Sequence, residues 1–370
     1  MEAFTALLRS RVDMGPFSFH PKRRSIGLTH LVFADDLFIL CGASQDSFSL
    51  INQLLTNFHS FSGLKPNMQK SSVFYVRVFE TVKLTLSSIL PIPEAHLLVK
   101  YLGVSLISTR LKAADCLILK EKILKRIQGW SNRPVSYRGR AQLIQLVLFS
   151  VQVYWSSIFV IPSKTIKEIE STLMAFLWSS LEMKSYAAKV QWYHVCSPKE
   201  EGGLSFRRIK EWNKATMLRH LWAICNKADT LWVKWIHNYI IKGQCFWSMD
   251  IPSDASWTMR KVLNLRSLGQ SLIKYQVGNG QNTHLWLDNW HPLGPLFKRF
   301  GESVVYNLGK SLLSKVSFII HNGAWRWPRQ RNRVTQFIVV HTPVDSQPNC
   351  LHEDSVVWLP HPSGFSVFSA

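Results

Sequence analysis

The stretch Leu28-Thr29-His30-Leu31-Val32-Phe33-Ala34-Asp35-Asp36-Leu37-Phe38-Ile39-Leu40-Cys41 sets two adjacent carboxylates between two short apolar runs. Each run is rich in β-branched and aromatic residues and has the length of an ordinary strand. The segment therefore predicts strand, tight turn at the acidic pair, strand. Two-residue hairpin loops favour Asn-Gly or Asp-Gly, because the backbone takes positive φ there. Asp35-Asp36 offers no glycine and places like charges side by side. A divalent cation with oxygen ligands relieves such a pair. In the plainer reading, solvent does so around an exposed acidic turn.

After the hairpin, Ser44 to Phe61 predicts an amphipathic helix. Phe48, Ile51, Leu54, Leu55 and Phe58 recur on one face, Ser44 or Ser47 can cap the start, and Gly63 can end it in the left-handed conformation. Gly63-Leu64-Lys65-Pro66-Asn67-Met68-Gln69-Lys70-Ser71 then reads as a turn leading into a strand over Ser72 to Val78.

The chain has 370 residues with 46% hydrophobic and 18% charged residues, so it is globular and long enough for two or more cores. Lys and Arg number 44 against 23 Asp and Glu, a net charge of +21 that points to a polyanionic partner, nucleic acid ahead of a membrane surface. The cysteines at 41, 116, 196, 225, 245 and 350 lie far apart, which fits a reducing compartment and makes neither a disulfide framework nor a complete zinc site. Arg9 and Arg11 interrupt any apolar leader, so the expected location is nuclear or cytoplasmic, not secreted. Ala141 to Pro162 carries no charge and has the length of a membrane span, but Gln142, Gln145, Gln152 and Ser156 recur at helical spacing. That stripe predicts a buried amphipathic helix and no membrane partner.

Phe-Ala-Asp-Asp on a hairpin, then a helix, then Gly63-Leu64-x-x-Asn67-x-x-Lys70-Ser71 resembles the reverse transcriptase palm of LINE-type (non-LTR) retrotransposons of the plant lineage. Further blocks are similar to that family: Tyr101-Leu102-Gly103-Val104-Ser105-Leu106 (with Ser105 where the family has proline), Gly139-Arg140-Ala141-Gln142-Leu143-Ile144, Pro198-Lys199-Glu200-Glu201-Gly202-Gly203-Leu204, Trp212-Asn213-Lys214-Ala215, Val277-Gly278-Asn279-Gly280 and Trp286-Leu287-Asp288-Asn289-Trp290. The resemblance implies RNA-directed DNA polymerisation by two Mg2+ ions held by carboxylates, with Asp35 and Asp36 as metal-binding catalytic residues and an RNA template with a DNA primer as partners. A third aspartate of the family, on an earlier strand, has no counterpart here. The resemblance thus implies a partial palm over 1–80, a helical thumb-like region over 81–190, a Trp-rich connecting region over 191–345 and the start of a zinc-binding-like domain over 346–370. It also implies that this chain does not polymerise. The fold class that follows is α+β: palm hairpin and helix, a mainly helical middle, then short strands.

Between Lys100 and Arg140 ten basic residues stand against Asp115 and Glu121. Lys120, Lys122, Lys125 and Arg126 fall on a helical pattern whose other face is Leu117, Ile118, Ile123, Leu124 and Ile127. With Lys70, Arg138 and Arg140 they are the candidate nucleic-acid-binding residues, since a thumb tracks the duplex backbone. The plainer reading of the same helix is a solvated charged face. Trp178, Trp192, Trp212, Trp222, Trp232 and Trp235 are expected to be core rather than base-stacking. Val277 to Trp290 predicts a hairpin with Asn279-Gly280 at its turn. His284, Asp288 and His291 are a weak metal candidate, and Cys350-x-His352 is half of a zinc pair that the chain does not complete.

Overall fold

The structure is a computed structural model that describes residues 2–95, 100–107, 109–131, 134–178, 190–308, 311–328, 332–343 and 347–359. Its architecture is α+β, as expected, with many short helices and four two-stranded antiparallel sheets among the described residues. Two compact units divide the chain: Met1–Ile107 with Thr230–Lys242, and Ser108–Asp229 with Gly243–Ala370.

In the first unit, helix α1 (Glu2–Met14) precedes a hairpin of β1 (His30–Phe33) and β2 (Asp36–Ile39), with Phe33 opposite Asp36. The loop is therefore Ala34-Asp35, one residue earlier than the acidic pair, and Asp36 opens the second strand. Ala34 takes the positive φ (52°) that a glycine-free two-residue loop must place somewhere. Helix α2 (Gln45–Ser62) is capped by Ser44, whose hydroxyl accepts from Ser47 N–H, and ends at Gly63 with φ 72°. It buries Phe48, Ile51, Leu54 and Phe58. One end of that face meets Phe4 and Leu8 of α1, the other Leu86 and Leu90 at helix α3 (Glu80–Ile89). Ser72 to Val78 is not a strand: an isolated parallel bridge, Val73 to Glu94, is all that forms. The short hairpin β3 (Lys100–Tyr101) and β4 (Val104–Ser105) sets Tyr101 against Phe38, ring centroids 5.8 Å apart. The helix Leu231–Ile236 docks on the basic loop: Trp235 Nε1 donates to Lys22 carbonyl, Ser25 N–H donates to Tyr239 Oη, and Arg23 lies over the Trp235 ring.

The second unit begins with helices. Helix α4 (Leu117–Ser131) turns Leu119, Ile123 and Ile127 inward. Leu117, assigned to that face, is 48% exposed. The stretch Tyr137–Ile158 is one long helix, α5 (Tyr137–Leu143) and α6 (Phe149–Ile158) joined by a π turn at Ile144–Leu148. By length and composition it is long and apolar enough to cross a membrane. The π turn inserts a residue and rotates the helix face. Gln142 and Gln145 point to solvent while Gln152 and Ser156 are buried, so the expected single stripe is split in two. Helix α7 (Ser163–Trp178) and, after the short α8 (Trp192–Val195), helix α9 (Ile209–Cys225) complete this layer. Asn213 of α9 joins it to α6: its Oδ1 accepts from Ile161 N–H and its Nδ2 donates to the carbonyls of Ser156 and Phe159.

The rest of the unit mixes short elements around a second core of Trp286, Leu285, Leu296, Val304, Val316, Ile319 and Ile338. Strand β5 (Ile273–Gln276) pairs with the distant β8 (Ser355–Trp358), while β6 (Ile320–His321) and β7 (Ala324–Trp325) form a minimal hairpin. Val277 to Trp290 is not a hairpin, because its backbone donors turn toward a side chain instead of a neighbouring strand. The most buried tryptophans among the described residues are not those predicted to be core. Trp155, Trp286, Trp290 and Trp358 are at most 3% exposed, whereas Trp178, Trp192, Trp212, Trp222 and Trp235 are half-buried and Trp232 is 39% exposed.

Candidate nucleic-acid interface

Asp35 and Asp36 both lie exposed at the tip of the β1–β2 hairpin, beside Phe33, which is 59% exposed. Asp35 belongs to the loop and Asp36 opens β2. Among the described residues no group of three or more His, Cys, Asp or Glu is arranged to hold a metal ion. Two exposed carboxylates suit one hydrated Mg2+ that draws its other ligands from water or phosphate. They do not fit the paired ions of a polymerase centre.

The basic candidates separate into two kinds. Lys122, Lys125 and Arg126 are exposed on the outer face of α4, and Lys70 and Arg138 are exposed as well, Lys70 on a turn closed by Asn67. Lys120 is committed elsewhere: its Nζ lies 2.6 Å from Glu168 Oε2 on α7, an ion pair that bridges the two helices. That pair holds the Glu168 carboxyl below its usual range. Arg140 is likewise engaged. Its Nε donates to Leu177 carbonyl and its Nη1 to Val135 carbonyl, so it satisfies a last-turn carbonyl of α7 where a cation is also favoured by the helix dipole. Ion pairing and capping thus remove two of the seven candidates from direct phosphate contact.

Three polar constructions take their form only in the fold, two of them around residues of the weak metal candidate His284, Asp288 and His291. Asp354 gathers the Val277–Thr283 loop: its Oδ1 accepts from the N–H groups of Gly278 and Gly280, its Oδ2 from those of Asn282 and Thr283 and from Thr283 Oγ1, all at 2.8–2.9 Å. Both glycines are required by close approach. A Cβ on Gly278 would lie 2.3 Å from His352 carbonyl oxygen, and Gly280 has φ 72° with Ser317 N packed beneath it. Gly278-Asn279-Gly280 is therefore a carboxylate nest rather than a hairpin turn.

The second construction joins Cys245, His284, Asp288 and Lys315. Asp288 is 2% exposed; its Oδ2 accepts from His284 N–H at 2.5 Å and lies 3.2 Å from His284 Nδ1. Lys315 Nζ is 3.0 Å from Nε2 and 3.4 Å from Nδ1 of the same ring. Nearly equal distances to two nitrogens place the ammonium over the ring face, leaving the in-plane lone-pair directions to Asp288 and to the Cys245 thiol. Burial alone would lower the His284 pKa, but Asp288 and Cys245 raise it to about 9. Burial pushes the Cys245 thiol up, and His284 together with Trp247 N–H outweighs it, holding the thiol below its ordinary value. The third is His291, which does not join His284 and Asp288. It is 1% exposed, lies 3.3 Å from Thr342 Oγ1, and accepts from Leu293 N–H; burial lowers its pKa to about 4. Cys350 is exposed, and of the expected segment 346–370 residue 346 and the residues after 359 lie outside those described.

No protein-family profile matches the chain. It is similar to two proteins of Arabidopsis thaliana. One bears a provisional ribonuclease H name and is 29% identical over 181 residues, 48% of this chain and 29% of that protein. The other, an uncharacterized mitochondrial protein, is 28% identical over 152 residues, 40% of this chain and 99% of that protein. The match thus spans less than a third of the ribonuclease H-named relative.

Proposed function

We propose that this chain is a non-catalytic nucleic-acid-binding protein of retroelement descent, its first unit derived from the palm of a LINE-type reverse transcriptase. The observation that carries the reading is the exposed row Lys122, Lys125 and Arg126 on α4 in a chain of net charge +21. Cations held on a rigid helix face meet phosphates without a folding cost, and their contribution is read in salt dependence. Similarity to a relative named for an enzyme that acts on nucleic acid supports the same class of partner. Mg2+ bound at Asp35 and Asp36 would supply charge for phosphate contact. Two carboxylates alone leave polymerase chemistry without its second ion.

The test is equilibrium binding of a labelled RNA–DNA duplex across a salt series. Substituting Lys122, Lys125 and Arg126 together with alanine should flatten the logarithmic salt slope by about 0.9 for each phosphate no longer neutralised, with little change in melting temperature. An unchanged slope would remove α4 from the interface. Primer extension on an RNA template should give no product with the native chain; Mg2+-dependent product that Asp35→Ala abolishes would establish the catalytic alternative.

A further inference from the structure

In the second unit Tyr193, like Tyr306, keeps more than half of its surface exposed, and an arginine is stacked on its ring. The short helix α8 buries Val195 and turns Trp192 onto Phe206, ring centroids 5.7 Å apart, while the Tyr193 ring is left 59% exposed. The Arg208 guanidinium carbon lies 4.0 Å from the Tyr193 ring centroid, the spacing of a flat stack, and Arg208 Nη1 donates to Glu211 Oε1 at 3.1 Å, which fixes the plane. Among the described residues the Tyr193 hydroxyl has no hydrogen-bond partner. Lys210 and Lys214 are exposed one turn apart on α9, which begins directly after Arg208. Burial explains most aromatic placements in this chain, and it does not explain this one. An exposed aromatic ring backed by a planar cation, with two exposed lysines on the helix that starts after that cation, is an arrangement on which an unpaired base stacks while its phosphates meet the cations.

We propose that Tyr193 and Arg208 form a base-stacking platform for single-stranded nucleic acid, with Lys210 and Lys214 contacting the strand backbone. The proposal rests on the nucleic-acid reading above and deepens it: duplex contact belongs to α4, single-strand contact to Tyr193. The experiment measures fluorescence anisotropy of a labelled oligo-uridylate and of a duplex RNA with the full chain and three variants. Tyr193→Ala and Tyr193→Leu should each weaken oligo-uridylate binding about tenfold, since leucine keeps apolar area but offers no π face, and both should leave duplex affinity and melting temperature unchanged. Tyr193→Phe should bind as the native chain does. Equal single-strand affinity in Tyr193→Ala and native chains overturns the platform, as does an equal loss for single strand and duplex. If the native chain binds duplex but no single strand, the platform alone falls. If it binds neither, the functional reading falls with it.

Discussion

Asp354 concentrates more hydrogen bonding than any acid predicted to matter. Its carboxylate accepts five N–H and O–H donors from residues 278–283, about seventy positions earlier in the chain. Hydrogen bonds to a charged acceptor are the stronger kind, and removing the acceptor strands its donors. Asp354→Ala should destabilise the second unit by about 3 kcal/mol. Asp354→Asn should cost nearly as much, because one amide group would face donors with a donor; chemical denaturation followed by tryptophan fluorescence checks both. His291 makes a pH-dependent contribution whose sign is fixed. Its folded pKa of about 4 lies below the ordinary 6.5, chiefly through burial, with His341 and Lys274 adding to the depression. The unfolded chain therefore takes up this proton first on acidification. Its contribution is present above pH 6.5 and is lost as pH falls from there toward 4, on the order of 3 kcal/mol in all. His291→Asn should flatten the acid limb of a melting-temperature profile. An acid limb as steep as the native one would assign the loss to other groups.

Elements were legible where the forces that define them are local. Helix α2 follows from its apolar period, the Ser44 cap and Gly63, and all three stand as read. Ser44→Ala should cost about 1 kcal/mol by unsatisfying Ser47 N–H, a loss that thermal melts would detect. What failed was long-range or geometric. The hairpin loop moved by one residue because strand pairing, not side-chain charge, decides which pair turns. The Val277–Trp290 hairpin was lost to Asp354, a partner that no local pattern announces. Lys120 and Arg140 left the candidate interface because Glu168 and the end of α7 lie against them only in the folded unit. The split polar stripe of Tyr137–Ile158 depends on a π turn, and beside its buried half Asn213 makes three hydrogen bonds to backbone groups of Ser156, Phe159 and Ile161, satisfying the chain where α6 ends. Asn213→Leu keeps the volume and removes those partners. It should destabilise by about 2–4 kcal/mol, with Asn213→Asp less damaging than Leu if acceptance from Ile161 N–H is the dominant bond.

At the scale of the molecule, the two units differ in how well they bury apolar surface. The first keeps Phe33, Phe61, Leu64, Val76, Phe79 and Leu84 more than half exposed, and its β1–β2 sheet has only two strands, an arrangement with little independent stability. The second buries Trp155, Trp286, Trp290 and Trp358 almost completely, Trp286 and Trp290 within one apolar cluster. Units with separate cores and unequal burial need not unfold together. The distribution of tryptophan makes this measurable: of the 15 tryptophans only Trp232 and Trp235 belong to the first unit. Far-ultraviolet circular dichroism reports both units, and tryptophan emission reports mainly the second. On urea titration the dichroism should begin to fall before the emission shifts, giving non-coincident curves with the lower transition insensitive to Asp354→Ala. Coincident curves, or an Asp354→Ala effect on the first transition, would mean that the units unfold as one cooperative body.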